Sequence, residues 1–336
     1  MTRTRATILI LPILAAFSCD QAAADSQDAV WSFEGRGAGW KVRSADLEFG
    51  TSFRRDNLDW NIASDQTGLT SPNIVSELTW RNLQAFQFEA RSHVETQNNL
   101  YVKLMFGYGW IVAGKNQDSD YGTNDRGSEW SRSNNSANRG EMMDVSLGVG
   151  YDFKLLGDSV SLIPLMGVAY DLQRLSITNG NQTLSGCAPS PPFPPATCGG
   201  PLGPFDGLGS SFRAEWLGPW NGLDFNFSKG RMRFGLGTEY HWNVTYHADA
   251  NWNLRTDFMH PDSFDQTSTG QGYVVRGNVG YQWSERWTWI ARAQWQKWWT
   301  GPGTVSFNST TGPSTQRLNR VNWDSIGASL GAAYRF

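Results

Sequence analysis

From Met232 to His247 the chain alternates, with Thr238 the one polar residue in the apolar row. Met232, Phe234, Leu236, Tyr240, Trp242, Val244 and Tyr246 hold one parity, and Arg233, Glu239, His241, Asn243, Thr245 and His247 hold the other. Successive side chains of a β-strand point to opposite faces, so this is a strand with one apolar and one polar face. About fifteen residues of it exceed the usual strand of a soluble sheet. The last twelve residues repeat the pattern. Ile326, Ala328, Leu330, Ala332, Tyr334 and Phe336 oppose Ser325, Gly327, Ser329, Gly331, Ala333 and Arg335. Further strands begin near Ala45, Tyr101, Asp144, Val160, Arg213, Tyr273 and Trp287. Each is long enough for the ~9–11 residues with which a tilted strand crosses the hydrocarbon layer.

Tight connections around Leu155–Ser159, Lys229–Arg231 and Ser284–Arg286 alternate with long polar ones at Ala113–Arg139, Asn179–Leu208, Ala248–Gln271 and Gly301–Arg320. Short turns opposite long loops are the arrangement of an outer-membrane barrel, and closure is what makes strands tolerable in lipid. Hydrophobic residues make up only 39% of the 336, while tryptophan reaches 17 copies. Beyond the first twenty residues no run is long and apolar enough for a membrane helix, so a helical transporter is excluded. The net charge of -3 leaves no electrostatic footprint for nucleic acid.

The reading is therefore all-β, a closed antiparallel transmembrane β-barrel. The runs 73–80 and 84–94 share apolar even positions (Ile74, Leu78, Trp80; Phe86, Phe88, Ala90) and are read as one strand, which gives ten strands, with twelve as the fallback. Arg3 and Arg5, an apolar stretch and Ala22-Ala23-Ala24 form a signal peptide over 1–24. Residues 25–43 are expected to be a periplasmic segment and 44–336 the barrel. Cys187 and Cys198, in an oxidising compartment, are expected to close the Pro-rich loop as a disulfide.

Polar parity assigns Glu77, Glu89, Arg91, Lys103, Asp144, Asp224, Arg233, Glu239, Arg276 and Arg292 to the inside, with His241 on the same face of its strand. A ten-stranded bore is narrow, and charges of both signs are expected to pair across it. Two further groups could carry chemistry. Asp118 and Asp120 lie close enough to repel, which raises a carboxyl pKa and suits a pair to holding water. On the strand from Met232, His247, Asp249 and Asn251 share the inner face by parity and are expected to look across the mouth. For Asp118 and Asp120, parity points to lipid, so a bulge is needed to turn them inward.

Asn57-Leu58-Asp59-Trp60, Ser76-Glu77-Leu78-Thr79-Trp80, Asp118-Ser119-Asp120-Tyr121, the acidic, His-bearing top of the seventh strand and the terminal Tyr334-Arg335-Phe336 together resemble the omptin family of outer-membrane aspartyl-type proteases. Arg132-Ser133-Asn134-Asn135 and Ala250-Asn251-Trp252-Asn253-Leu254-Arg255 look closer still to the Protochlamydia outer membrane protein family, which the resemblance implies is porin-like. In the omptin pattern Asp118 and Asp120 match the carboxylate pair and Asp249 the aspartate that orients a histidine, but Asn251 stands where that histidine belongs. An amide cannot accept and return a proton, so the base would have to be His247. The expected function is thus a porin-like or structural surface protein with a polar, narrow lumen; an omptin-like endopeptidase and an adhesin are the alternatives. No cofactor or metal is expected. Outer-membrane lipid, lipopolysaccharide and, through the strand ending at Phe336, the barrel-assembly machinery are the expected partners.

Overall fold

A computed structural model describes residues 41–190 and 197–336. The expected signal peptide and residues 25–40 lie outside the described residues. The strands are β1 (Val42–Ile62), β2 (Ser76–Thr96), β3 (Leu100–Thr123), β4 (Gly127–Ser136), β5 (Gly140–Tyr151), β6 (Phe153–Leu155), β7 (Val160–Ser185), β8 (Gly203–Lys229), β9 (Met232–Asn251), β10 (Phe264–Gln282), β11 (Trp287–Thr300), β12 (Gly303–Ser309) and β13 (Gly312–Arg335). Neighbours are antiparallel throughout, and β1 pairs with both β2 and β13, which seals the sheet. β4, β5 and β6 together fill one position between β3 and β7, and β11 with β12 fills one between β10 and β13. The wall is a ring of ten strands.

The tight turns lie at one end; of the segments expected to be long loops at the other, 113–139 and 301–320 are mostly strand, while 179–208 and 248–271 are strand only at their two ends. β7 and β8 run for 26 and 27 residues, more than twice what crossing the hydrocarbon requires. The barrel therefore stands well above the membrane. The polar composition of 113–139 and 301–320 belongs to wall that meets water, which is why it reads as loop.

Side-chain polarity inverts along the barrel axis. In the membrane-spanning half, Phe49, Phe53, Phe88, Phe106, Leu223, Leu236 and Leu330 are exposed on the outer face, while Glu48, Arg54, Gln87 and Lys103 point into the bore. Above it, Leu58, Trp60, Leu78, Trp80, Phe212, Trp216, Tyr246, Trp298 and Trp323 are buried inside. Lipid is the solvent of the lower wall and water that of the upper, so each half turns its apolar face away from water.

Local irregularities let single strands make this inversion. Asn82 on β2 and Asn243 on β9 adopt the left-handed conformation, with φ of 53° and 51°. The ladders beside both slip by a residue. Such bulges exchange the two faces of a strand. Below Asn243, Glu239 and His241 face inward; above it, Val244, Tyr246, Ala248 and Ala250 do. In β2 the bulge places Leu78 and Trp80 inside although Phe86 and Phe88, of the same parity, face lipid. Continuous parity had put these four on one face, and it had put Glu77 inside. Glu77 instead sits opposite Leu78, on the outer face, where Arg126 binds it at 2.5 Å.

Candidate functional site

The interior of the barrel has two levels. In the lower one, buried charges are matched almost one for one. The Arg54 guanidinium donates to Asp56 at 2.7 and 3.0 Å and to Asp144 at 2.6 Å. Gln87 shares the same Asp144 oxygen at 2.5 Å, and the Trp323 indole N–H donates to Asp56 at 2.9 Å. Arg292 forks onto Glu48 at 2.7 and 2.9 Å. Lys103 binds Asp224 at 2.9 Å and Glu239 at 3.2 Å, and Glu239 also receives Arg276 and lies 3.3 Å from His241. Arg91 pairs with Glu89 at 3.0 Å. Arg233 donates to Gln282 at 2.9 Å. Glu89, Arg91, Lys103, Arg233, Glu239, His241, Arg276 and Arg292 thus all lie on the lumen side. Paired in this way, buried charges avoid most of the desolvation penalty that an isolated one would carry.

The upper level is an apolar plug. Phe212 of β8 stacks on Trp60 of β1 at 5.9 Å and on Trp80 of β2 at 5.0 Å between ring centres. Trp216 of β8 meets Trp298 of β11 and Trp323 of β13, each at 6.0 Å, and those two stack at 5.5 Å. β8 is hydrogen-bonded to none of β1, β2, β11 or β13, so these contacts cross the bore. Trp80, Trp216 and Tyr246 have no exposed surface. Wall glycines admit rings of this size: a Cβ on Gly272 would come within 2.6 Å of the Trp298 indole. The two levels join where Arg54 lies 5.7 Å from the ring of Trp323, and within the lower one Lys103 lies 5.0 Å from the Trp220 ring.

Asp118 and Asp120 lie on β3 above the membrane. The expected irregularity is present: the β2–β3 ladder slips between Arg81 and Ala85. Val112 faces out, and Asp118 pairs with inward-facing Leu78. Burial pushes the Asp118 carboxyl well above its ordinary range, repulsion from Asp120 adds to this, and Arg255 of the β9–β10 connection offsets part of it. Asp120 is raised by burial too, while Ser76 and Ser131 donate hydrogen bonds to it.

His247, Asp249 and Asn251 are on the other side of the wall. The Asn243 bulge reverses their parity, so they do not look across the mouth. His247 is the cross-strand partner of Glu215, and Asp249 of Arg213, all opposite the buried row of Ala214, Trp216, Tyr246 and Ala248. The His247 ring lies 3.7 Å from Glu215 and 3.9 Å from Asp265. Tyr170 donates to Glu215 at 2.5 Å, Arg213 binds Glu215, and Arg213 lies 3.4 Å from Asp249. Hydrogen bonding to His247, Tyr170 and the Arg213 charge outweigh burial and hold the Glu215 carboxyl at about 2. In turn Glu215 raises the His247 pKa. The His260 ring Nδ1 donates to Asn251 Oδ1 at 2.8 Å. No contact joins Asp118 or Asp120 to His247 or Asp249. Glu215 and Asp265, the partners His247 does have, are 32 and 18 positions away, and only strand register brings them together.

Cys187 and Cys198 are joined by a disulfide at the outer end of the β7–β8 connection. Among the described residues, no group of three or more His, Cys, Asp or Glu is placed to hold a metal ion.

A sealed ten-stranded antiparallel ring with an apolar belt, short turns at one end and a tall water-facing extension at the other defines an outer-membrane β-barrel of omptin-like fold. Its likeness to the outer membrane protease OmpT from Escherichia coli has a TM-score of 0.70 at 13% identity, covering 90% of this chain and 99% of that one. At that identity the likeness concerns the fold alone. The outer membrane protein OprG from Pseudomonas aeruginosa aligns over 87% of this chain and 95% of its own with a TM-score of 0.33 and 11% identity, too low to bear on the argument. The profile of the Protochlamydia outer membrane protein family matches residues 48–336, and the chain belongs to that family. It resides in the outer membrane. No protein of curated function matches the sequence.

Proposed function

We propose that this protein is a structural surface barrel, closed to ions, which carries a rigid water-facing extension above the outer membrane. The observation that supports this reading is the aromatic plug. Rings from β1, β2, β8, β11 and β13 meet across the bore, and a solute path would require displacing packed, fully buried indoles. Interiors packed in this way do not open without a large cost. The charged level beneath serves as a pairing network that braces the wall, since most of its ions are committed to one another. For the endopeptidase alternative the geometry offers no support, because the carboxylate pair and His247 occupy opposite faces of the wall.

Planar-bilayer recording tests the proposal. The reconstituted barrel is expected to be electrically silent at moderate voltage; stepwise, reproducible conductance from the native protein would overturn it.

A further inference from the structure

Below the plug, the short-turn end opens into a cavity of about 710 Å³, within the ~300–1,000 Å³ usual for small-molecule sites. Most cations on its wall have a carboxylate partner: Arg43 has Glu95, Lys154 has Asp152, Arg292 has Glu48 and Lys103 has Asp224. Arg233, Arg286 and Arg335 also line it, and among the described residues none of the three forms an ion pair. The polar contact of Arg233 is the Gln282 amide oxygen at 2.9 Å, and that of Arg286 is the Tyr334 hydroxyl at 3.0 Å. The Nε of Arg335 is shielded from water and has no hydrogen-bond partner.

Arg233 and Arg335 lie within electrostatic range of each other and of Asp46. Asp46, the cross-strand partner of Arg335, is already engaged by His93 at 2.9 Å. Arg233 and Arg335 thus line one cavity within electrostatic range of a single shared carboxylate, and that carboxylate is already occupied. Like charges gathered in a concave, partly desolvated site await an anion, and the planar fork of arginine suits carboxylate and phosphate oxygens.

We propose that this vestibule binds a multiply charged carboxylate or phosphate ligand from the periplasm, gripped by Arg233 and Arg335 with Arg286 at the rim. The ligand is held rather than passed, because the plug lies above it.

Calorimetric titration of the refolded, detergent-solubilised full chain with citrate and with pyrophosphate tests the site. Saturable binding of either is expected, weakened at least tenfold by combined Arg233→Gln and Arg335→Gln and unchanged by Arg174→Gln on the outer wall. Citrate alone assigns carboxylate, pyrophosphate alone assigns phosphate, and saturation by both assigns a general polyanion site. Saturation by neither, or binding within twofold of native in the double variant, would overturn the proposal. The heat-dependent electrophoretic shift of a closed barrel verifies folding; should the double variant fail it, Arg233→Lys, which keeps charge but loses the fork, is expected to weaken binding, and unchanged binding there overturns the site. The readout is independent of conductance, so this proposal and the closed-bore reading fail separately.

Discussion

His247 illustrates how position on a wall decides what a titratable residue does. It sits above the lipid belt on the outer face, between Glu215 and Asp265, and its pKa is raised from the ordinary 6.5. A group that holds its proton more firmly when folded contributes fully below about pH 6.5, and the contribution is lost as pH rises through the raised value. Glu215, held at about 2, remains ionised across that window and supplies the constant partner. The His247→Gln variant is therefore expected to lose stability at about pH 5.5 and to match the parent at about pH 8.5, by less than about 1 kcal/mol since the pair is half exposed. Melting curves at the two pH values check this, and equal deficits would refute it. The sequence made His247, Asp249, Asp118 and Asp120 visible as chemistry-bearing residues, and the resemblance to the omptin family gave them roles. What it could not carry was the side of the wall on which each lies. One residue, Asn243, decides that for His247 and Asp249, and its left-handed backbone leaves no periodic trace.

At the level of the strand, the bulge is the device that lets a single segment serve two solvents. β13 keeps one parity throughout its membrane-spanning part, and the alternation of Ile326, Ala328 and Leu330 against Ser325, Gly327 and Ser329 was legible directly. β2 and β9 change parity at Asn82 and Asn243, and simple alternation misassigned residues on both. Asparagine tolerates the left-handed region and a β-branched residue does not. Asn243→Val is expected to cost roughly 1–2 kcal/mol, whereas Asn243→Gly should be nearly silent. Denaturant unfolding of the two variants compares them, and a valine variant as stable as the glycine one would show that the bulge is not held by this backbone preference. The long polar segments misread as loops belong to the same lesson: outward serines and asparagines describe a wall in water as well as they describe a loop.

For the molecule as a whole, the boundary between its two solvents can be mapped by substitution. Val168 on β7 is exposed in the belt, and Arg174, six residues further up the same strand, is exposed above it and pairs with Glu141 at 3.0 Å. Val168→Arg is expected to cost roughly 2–4 kcal/mol in a bilayer, the depth-dependent penalty of a cation facing lipid. Arg174→Val should change stability by less than about 1 kcal/mol, since an exposed pair is worth little. Unfolding from lipid vesicles measures both, and equal effects would mean that the belt has been placed at the wrong height. The ring of ten strands and the membrane location were written in periodicity and turn lengths. The plug was not, because its rings come from strands far apart in sequence and their inward direction depends on the bulges.

The meeting of Trp60 with Phe212 and Phe264 also bears on biogenesis. β1 is synthesised first and β13 last, yet the seam between them runs from Asp46 opposite Arg335 to Ile62 opposite Leu318. Until that seam closes, no hairpin on its own can enclose the indoles that end up at the centre. A half-zipped sheet presents them to water on one flank while presenting its phenylalanines to water on the other. The nascent wall is thus sticky on both surfaces, and the unclosed chain is expected to aggregate in water unless both are shielded together.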